Sequence, residues 1–522
     1  MQTLLFAVSA HQAGDIDKAE KLYHQVLTND PSNADALHYL GLIEASRGQI
    51  DQAIILMTRA IEVKADLAPA YNNRGNCFKI LGKFTEALAD FDKALKYAPH
   101  FAAAYTNRGA CHYELGAHEK AIIDCTSALR IDPTSSDAFN NRGNALHRIG
   151  RDEQAIEDFS HSISLNPGDH VVYVNRANVL KELGRFSEAS SDYATASRLS
   201  RGYADALFGQ SLLDLLNGHF SRGWEGYETR PDRDRLMPSE VSNLPQLRSL
   251  NEAEQKRVLV YSEQGLGDTI QFCRYLPLLR EAGALVYFAP QKPLLKLVST
   301  LTDQIELVGS DLESWTFDFQ ISLLSLPRLF STQLNQVPAK TPYLRADPSR
   351  VDNWAKIIGS SGFRIGICWQ GSTSNADLGR SFPVSMFQGI AANPDVRLIS
   401  LHKGAGEDQL EQWPGANQIE TLGREFDSEN QAFLDTAAVM KSLDLIITCD
   451  TAVAHLAGAL GVRTWVALKA VPDWRWLMQR QDTPWYPTMR LFRQQRKGYW
   501  EGVFDHIQEA LTELLAARQN QS

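Results

Sequence analysis

Cysteine is scarce and scattered. The six thiols, Cys77, Cys111, Cys125, Cys273, Cys368 and Cys449, include no C-x-x-C pair, which argues against a zinc knuckle or a disulfide framework and leaves reduced, buried side chains. Long apolar runs are missing as well: no stretch reaches the roughly 18 apolar residues that a membrane helix needs. The opening "MQTLLFAVSAHQAGD" lacks the basic start and long apolar centre of a signal peptide, so the expected location is the cytoplasm. Positive charge is in deficit. Lys and Arg total 52 against 62 Asp and Glu, a net charge of -10 with a pI near 5.8, and that sign disfavours displacing counterions from nucleic acid or from an acidic membrane. What remains is an ordinary globular composition, 44% hydrophobic and 22% charged, over 522 residues. That length exceeds one compact core and suggests about three domains.

A repeat dominates the first part of the chain. Glycine recurs every 34 residues at Gly14, Gly48, Gly82, Gly116, Gly150, Gly184 and Gly218, and alanine keeps step at Ala19, Ala53, Ala87, Ala121, Ala155 and Ala189. A second small position runs through Ala7, Gly41, Gly75, Gly109, Gly143, Ala177 and Ser211, and proline closes units at Pro31, Pro99, Pro133 and Pro167. The pattern resembles the tetratricopeptide repeat, with six full units and a seventh that decays around "GHFSRGWEGYETR". Small residues let two antiparallel helices approach, glycine permits the turn, and stacked pairs build an α-solenoid expected to wind into a superhelix with a concave face. One ladder on that face reads Asn73, Asn107, Asn141 and Asn175. An amide both donates and accepts, so such a ladder can hold an extended peptide by its backbone; it can equally bond within the solenoid or to water. The neighbouring Arg74, Arg108, Arg142 and Arg176 are expected to be solvated or paired with acidic residues of the adjacent unit.

After residue 250 the period changes. "RVLVYSEQGLGDTIQFCRYLPLLREAG" reads as strand, glycine turn and amphipathic helix, and "ALVYFAP", "IELVGS" and "FDFQISLLSLP" add strand-like runs. Past "TPYLRADPSRVDNWAKIIG", read as a linker with a hinge role, the alternation restarts with "RIGICWQGS", "VRLISLHKGAG", "NQIETLG", "LDLIITCDT" and "RTWVAL". Such alternation predicts two parallel doubly wound sheets in tandem, with ligands at the carboxyl ends of their strands. The polar clusters "EQGLGD", "QGSTSNADLGR", "HKGAGED" and "CDTAVAH" all fall there. The expected division is a solenoid over 1–235, a linker over 236–256, a first Rossmann-like domain on the acceptor side over 257–345, and a second, nucleotide-sugar-binding one over 346–522.

"GLGDTIQFCRYLP" followed by "DTAVAHLAGALG" resembles the bacterial lipopolysaccharide heptosyltransferases, glycosyltransferases of the GT-B fold, over residues 257 to 515. Joined to the repeats, the chain is similar to a bacterial tetratricopeptide-repeat glycosyltransferase, and similar in layout to the nucleocytoplasmic O-GlcNAc transferases. The resemblance implies an inverting, metal-independent transferase that takes a sugar from a nucleotide-sugar co-substrate, ADP-heptose or a UDP-sugar, with no further cofactor. It assigns Asp268 as the catalytic carboxylate, with Gly267 beside it in the turn, Asp450 to sugar hydroxyls, and His455 to a phosphate or sugar contact. The amides of Thr451, Ala452 and Val453 would seat the diphosphate at a helix N-terminus. Arg380 stands where the family often carries lysine, and arginine grips phosphate well. Lys403 and Glu407 are further donor-side candidates, and Gln370 a donor or acceptor contact. Read without the family, Asp268 and Asp450 are helix caps and His455 a core histidine.

The run "VPDWRWLMQRQDTPWYPTMRLFRQ" gathers aromatics near Asp473 and Arg475, as a cleft wall or as domain packing. No D-x-D pair stands at a strand end, so no metal-held diphosphate is expected. Three readings of function follow: transfer to a protein hydroxyl, with the repeats presenting the polypeptide; transfer to a lipid or saccharide acceptor, with the repeats docking partner proteins; or an interaction scaffold with a vestigial cleft.

Overall fold

A computed structural model describes residues 2–520 except 232, 234–236, 303, 310–311, 372–378 and 429–431. Most of the expected cluster "QGSTSNADLGR" and one end of the expected 236–256 linker therefore lie outside the described residues. Contacts divide the chain into two compact units, Met1–Arg201 and Gly202–Ser522.

The first unit is a helical solenoid of antiparallel pairs: α1 (Gln2–Gln12) with α2 (Ile16–Asn29), α3 (Ala34–Ser46) with α4 (Ile50–Val63), and α5 (Ala68–Ile80) with α6 (Phe84–Tyr97). Three more pairs follow: α7 (Ala102–Glu114) with α8 (His118–Ile131), α9 (Ser136–Arg148) with α10 (Asp152–Leu165), and α11 (His170–Glu182) with α12 (Phe186–Leu199). The 34-residue glycines make the turns, each with φ between 71° and 80°, which L side chains rarely adopt. The other small positions set helix spacing. A methyl on Gly75 or Gly143 would lie 2.7 Å or 2.8 Å from the rings of Phe91 and Phe159 on the partner helix.

Each ladder arginine grips an aspartate of its own pair. Arg74, Arg108, Arg142 and Arg176 bind Asp90, Asp124, Asp158 and Asp192 through two nitrogens at 2.6–2.8 Å. This corrects the expected pairing with the adjacent unit: sixteen residues separate each couple, which carries the chain over one turn onto the facing helix. The remaining nitrogen does reach back to the preceding pair, at Thr58, Asp92, Thr126 and Ser160, and among these only Asp92 is acidic.

The second unit opens with α13 (Ala204–Leu216) and α14 (Phe220–Tyr227), the decayed seventh repeat. Its grouping with the later residues, where a solenoid to 235 was expected, has a visible cause. Trp224 and Tyr227 meet Trp474 edge-on at 5.2 Å and 5.9 Å, Phe220 stacks on Trp485 at 6.2 Å, and the Trp224 indole donates to the Thr332 carbonyl at 2.9 Å.

Two parallel sheets follow. In the first, β1 (Arg257–Tyr261), β2 (Leu285–Ala289), β3 (Glu306–Leu307) and β4 (Phe319–Ser322) take the order β3-β2-β1-β4. Its main helices are α15 (Leu266–Phe272) and α16 (Tyr275–Glu281), with single turns α17 (Leu295–Val298) and α18 (Leu326–Leu329). In the second, β5 (Phe363–Cys368), β6 (Val396–Ser400), β7 (Ile419–Glu420), β8 (Leu445–Cys449), β9 (Thr464–Leu468) and β10 (Met489–Arg493) take the order β10-β9-β8-β5-β6-β7. Strands β8 and β9 are buried throughout, as strands covered on both faces must be. Winding outward in both directions from neighbouring β5 and β8 leaves a crevice at their carboxyl ends. The sequence reading had no counterpart for β10. The expected hinge segment instead supplies α19 (Pro348–Ile358), tied to the second sheet when Arg350 and the Trp354 indole both donate to Asp435 at 2.7 Å and 2.9 Å. Around that sheet run α20 (Gln388–Ala391), α21 (Asp408–Gln412), α22 (Leu434–Met440), α23 (Ala452–Ala459) and α24 (Glu501–Gln519).

Candidate functional site

Two strand-to-helix turns from different sheets meet head to head. The turn after β1 starts α15 and the turn after β8 starts α23, and a methyl on Gly267 would lie 3.1 Å from His455 Cδ2 and 3.3 Å from Ala452 Cα. Glycine is therefore what allows the two helix starts to touch. The contact gathers Gly267, Asp268, Asp450, Thr451, Ala452 and His455. Arg380 joins them: its guanidinium and Thr451 Cγ2 would each lie within 3.4 Å of a methyl on Gly371.

Asp268 is held at both oxygens. Oδ2 accepts the Gly265 N–H at 2.9 Å, the capping role, and Oδ1 pairs with Arg475. Arg475 in turn donates to Gln271 Oε1 at 2.7 Å and Asp473 Oδ1 at 2.8 Å, and lies 4.5 Å over the Trp474 ring. Burial pushes the Asp268 carboxyl above the usual range, against Arg475 and Arg380, which favour its ionised form. Asp450, just past β8, is raised to about 6 by burial and by the neighbouring Asp473; Arg380 and Arg475 oppose the rise. The Trp476 indole also pulls it down but makes no hydrogen bond of regular geometry. The site thus concentrates three carboxylates against two guanidiniums.

Thr451 takes the N-cap position of α23 without a capping hydrogen bond from its side chain, its hydroxyl 3.4 Å from that of Thr448. His455 is buried, stacks on Trp476 at 5.4 Å, and meets the Tyr486 hydroxyl at 3.0 Å through Nδ1. Burial and the charges of Arg475, Arg274 and Arg380 hold its imidazole well below the usual range, so the neutral form prevails.

Other expected residues make contacts of their own. Lys403 donates to the Phe426 carbonyl at 2.5 Å, Glu407 accepts the Gly404 N–H, and Gln370 accepts from Gln409 at 2.8 Å. In the solenoid, Asn73 bonds His38 at 2.8 Å, while Asn107 and Asn175 donate to Asn72 and Asn140 at 2.9 Å, each bond clasping one repeat to the one before. Asn141 holds the same ladder position, half-buried.

Several residues at the site had no role in the sequence reading. Arg475 and Asp473 stood in an aromatic run that could be packing; their place just after β9, at the crevice end of the sheet, was the available signal. Tyr227 comes from the decayed repeat, where periodicity gives no guidance. Burial raises its hydroxyl to about 12, with Arg475 pulling down and Asp268 pushing up. Arg230 is fully enclosed and binds Glu263, Ser322 and Ser325 at the carboxyl ends of β1 and β4. Among the described residues, no group of three or more His, Cys, Asp or Glu is arranged to hold a metal ion, and no helix is long and apolar enough to cross a membrane.

Comparison with known proteins bears on the solenoid. Residues 4–71, 68–101, 102–135 and 125–157 match tetratricopeptide repeat families. Protein FlbA of Caulobacter vibrioides is 27% identical over 338 residues, 59% of this chain and 55% of that one, so the chain spans about half the length of this curated relative. Among solved structures, a tetratricopeptide repeat protein from Parabacteroides merdae is 21% identical, covering 44% of this chain and 90% of that one with a TM-score of 0.37. Pseudomonas aeruginosa pilF is 24% identical, covering 40% and 94%, with a TM-score of 0.33. Tetratricopeptide repeats are present in the N-terminal unit, and they suggest a role in protein–protein interaction.

Proposed function

We propose that the second unit is an inverting glycosyltransferase of the GT-B type, its two sheets forming the acceptor and donor halves, and that the protein transfers a sugar from a nucleotide-sugar donor to a hydroxyl of a polypeptide recruited by the repeats. The observation that carries this reading is the meeting of Asp268 with Asp450, Thr451 and Arg380 where α15 and α23 abut. In the proposed step, Asp268 takes the proton of the acceptor hydroxyl while that oxygen bonds to the anomeric carbon. The bond from that carbon to the diphosphate breaks with its electron pair, and attack from the opposite face inverts the centre. The charge left on the diphosphate is met by Arg380, the Thr451 hydroxyl and the free amides at the start of α23. Asp450 orients sugar hydroxyls. Because Gly265 and Arg475 hold both oxygens of Asp268, its direction is set before any substrate arrives.

One observation favours a second acceptor. Asn73, Asn107 and Asn175 bond neighbouring repeats, which weakens the case for a backbone-binding ladder and leaves room for a saccharide or lipid acceptor with the repeats docking a partner protein. Purified protein would be incubated with ADP- and UDP-sugars and cell lysate, then searched by mass spectrometry for an added hexose, heptose or N-acetylhexosamine. Asp268→Asn should lower transfer at least ~100-fold. Absence of both transfer and donor hydrolysis with every nucleotide sugar tried would refute the reading.

A further inference from the structure

His455 has two ring nitrogens, and the neutral imidazole carries its proton on one of them. Which one decides whether the edge near Gly267 donates or accepts. Nδ1 faces the Tyr486 hydroxyl at 3.0 Å. The other edge, carrying Cδ2 and Nε2, turns toward α15, as shown by the 3.1 Å separation between Cδ2 and a methyl placed on Gly267.

The proton follows from the hydrogen bonds around Tyr486. Its ring packs at 4.5 Å against the guanidinium of Arg274, a buried cation whose own donors go to the carbonyls of Gln271, Pro338 and Trp485 and to the Tyr343 hydroxyl. Burial raises the Tyr486 phenol above its usual range although Arg274 pulls it down, so the hydroxyl keeps its hydrogen and can donate it. The second phenol nearby, Tyr343, accepts from Arg274 at 2.8 Å and turns its hydroxyl toward the Ile270 carbonyl at 2.9 Å and toward the Tyr486 oxygen, to which it acts as donor, so the Tyr486 hydrogen is left for Nδ1. If Tyr486 donates to Nδ1, its hydroxyl hydrogen is satisfied; the reverse arrangement sends that hydrogen elsewhere and removes the donor from Nε2. Burial, together with the cations Arg475, Arg274 and Arg380, keeps the imidazole neutral against the carboxylates Asp268 and Asp450 gathered at the same contact, so a second proton is not available to serve both edges.

We propose that Tyr486 fixes His455 in the tautomer protonated at Nε2, making it an uncharged hydrogen-bond donor toward the crevice, suited to an oxygen of the donor sugar or its phosphate. Tyr486 is then a positioning residue that acts through His455. The ligand class rests on the glycosyl-transfer reading; the tautomer does not.

The test is long-range proton–nitrogen NMR on full-length protein labelled with ¹⁵N-histidine, with the His455 signals assigned by their loss in His455→Gln. The expected result is an unprotonated signal at Nδ1 and a protonated one at Nε2, unchanged across about pH 5 to 8, where an ordinary histidine titrates. Tyr486→Phe keeps the packed ring and removes the hydroxyl, and should shift the Nδ1 resonance and populate the other tautomer. A proton on Nδ1 in the wild-type protein, an imidazolium at pH 7, or an Nδ1 signal indifferent to Tyr486→Phe would each overturn the proposal. None of these depends on a nucleotide sugar, so failure of the transferase reading would show separately, as absence of transfer from a protein whose tautomer is as expected.

Discussion

Asp450 and Asp268 show how one residue type serves different ends in a shared site. Both are pushed upward by burial, yet Asp268 has Arg475 on one oxygen and Gly265 on the other, whereas Asp450 faces Asp473 across the site. For Asp450 the folded value of about 6 stands above its ordinary 3.8, so between those values the folded state holds the proton more tightly and stability falls as pH rises. Asp450→Asn removes that loss. The variant should melt higher than wild type at pH 8, and the difference should close as pH drops below about 4, where both side chains are neutral; a difference of constant size across thermal melts over that range would contradict the assignment. Under the proposed transfer, which needs Asp268 ionised, activity should move in the opposite sense and fall as pH drops through the raised value of that carboxyl. The pairing of Asp268 with a glycine turn was legible in "GLGD", and the residues of "DTAVAH" in their motif. Their buried partners were not, because Arg475 lies 207 residues from Asp268 and no local pattern marks a contact across that distance.

At the scale of the element, the solenoid was legible because its forces are local. Every pair repeats a turn glycine and a small contact residue, the four pairs from α5 to α12 add an arginine–aspartate couple sixteen residues apart, and each is visible as a period of 34. The couple's partner was misassigned because spacing along a chain does not say which neighbouring helix a long side chain chooses. Its energetic role can be tested at Asp158, a buried residue that takes two nitrogens of Arg142 at 2.7 Å. Asp158→Ala leaves a half-buried guanidinium without its counter-charge and should cost about 3 kcal/mol in denaturant unfolding of the solenoid. The double variant Asp158→Ala with Arg142→Met should recover much of that loss, because the charge goes with its partner. Equal loss in the single and double variants would show that packing, not charge, governs the site. The sheets were legible for a different reason: continuous apolar runs mark strands covered on both faces. Strand β10 escaped notice because "MRLFR" carries arginine at both flanks of its apolar centre.

At the scale of the whole molecule, the seventh repeat is where sequence and structure part. Periodicity counts it with the solenoid, but Phe220, Trp224 and Tyr227 are almost wholly buried against the aromatic segment that also carries Arg475. Full burial of a large apolar side chain contributes roughly 1.5–3 kcal/mol, so the three together supply on the order of 5–9 kcal/mol. A folded domain holds only about 5–15 kcal/mol in reserve, which makes this helix pair decisive for the unit it joins. A truncated chain starting at Gly202 should melt in one cooperative transition, whereas one starting at residue 236 should lose cooperativity and expose aromatic surface to a hydrophobic dye. The longer fragment, from Gly202, also separates the acceptor readings. If the repeats recruit the polypeptide, the chain from Gly202 should still hydrolyse nucleotide sugar, with its transfer to protein falling at least tenfold; undiminished transfer to protein by that fragment would mean that polypeptide recognition lies in the α/β unit itself.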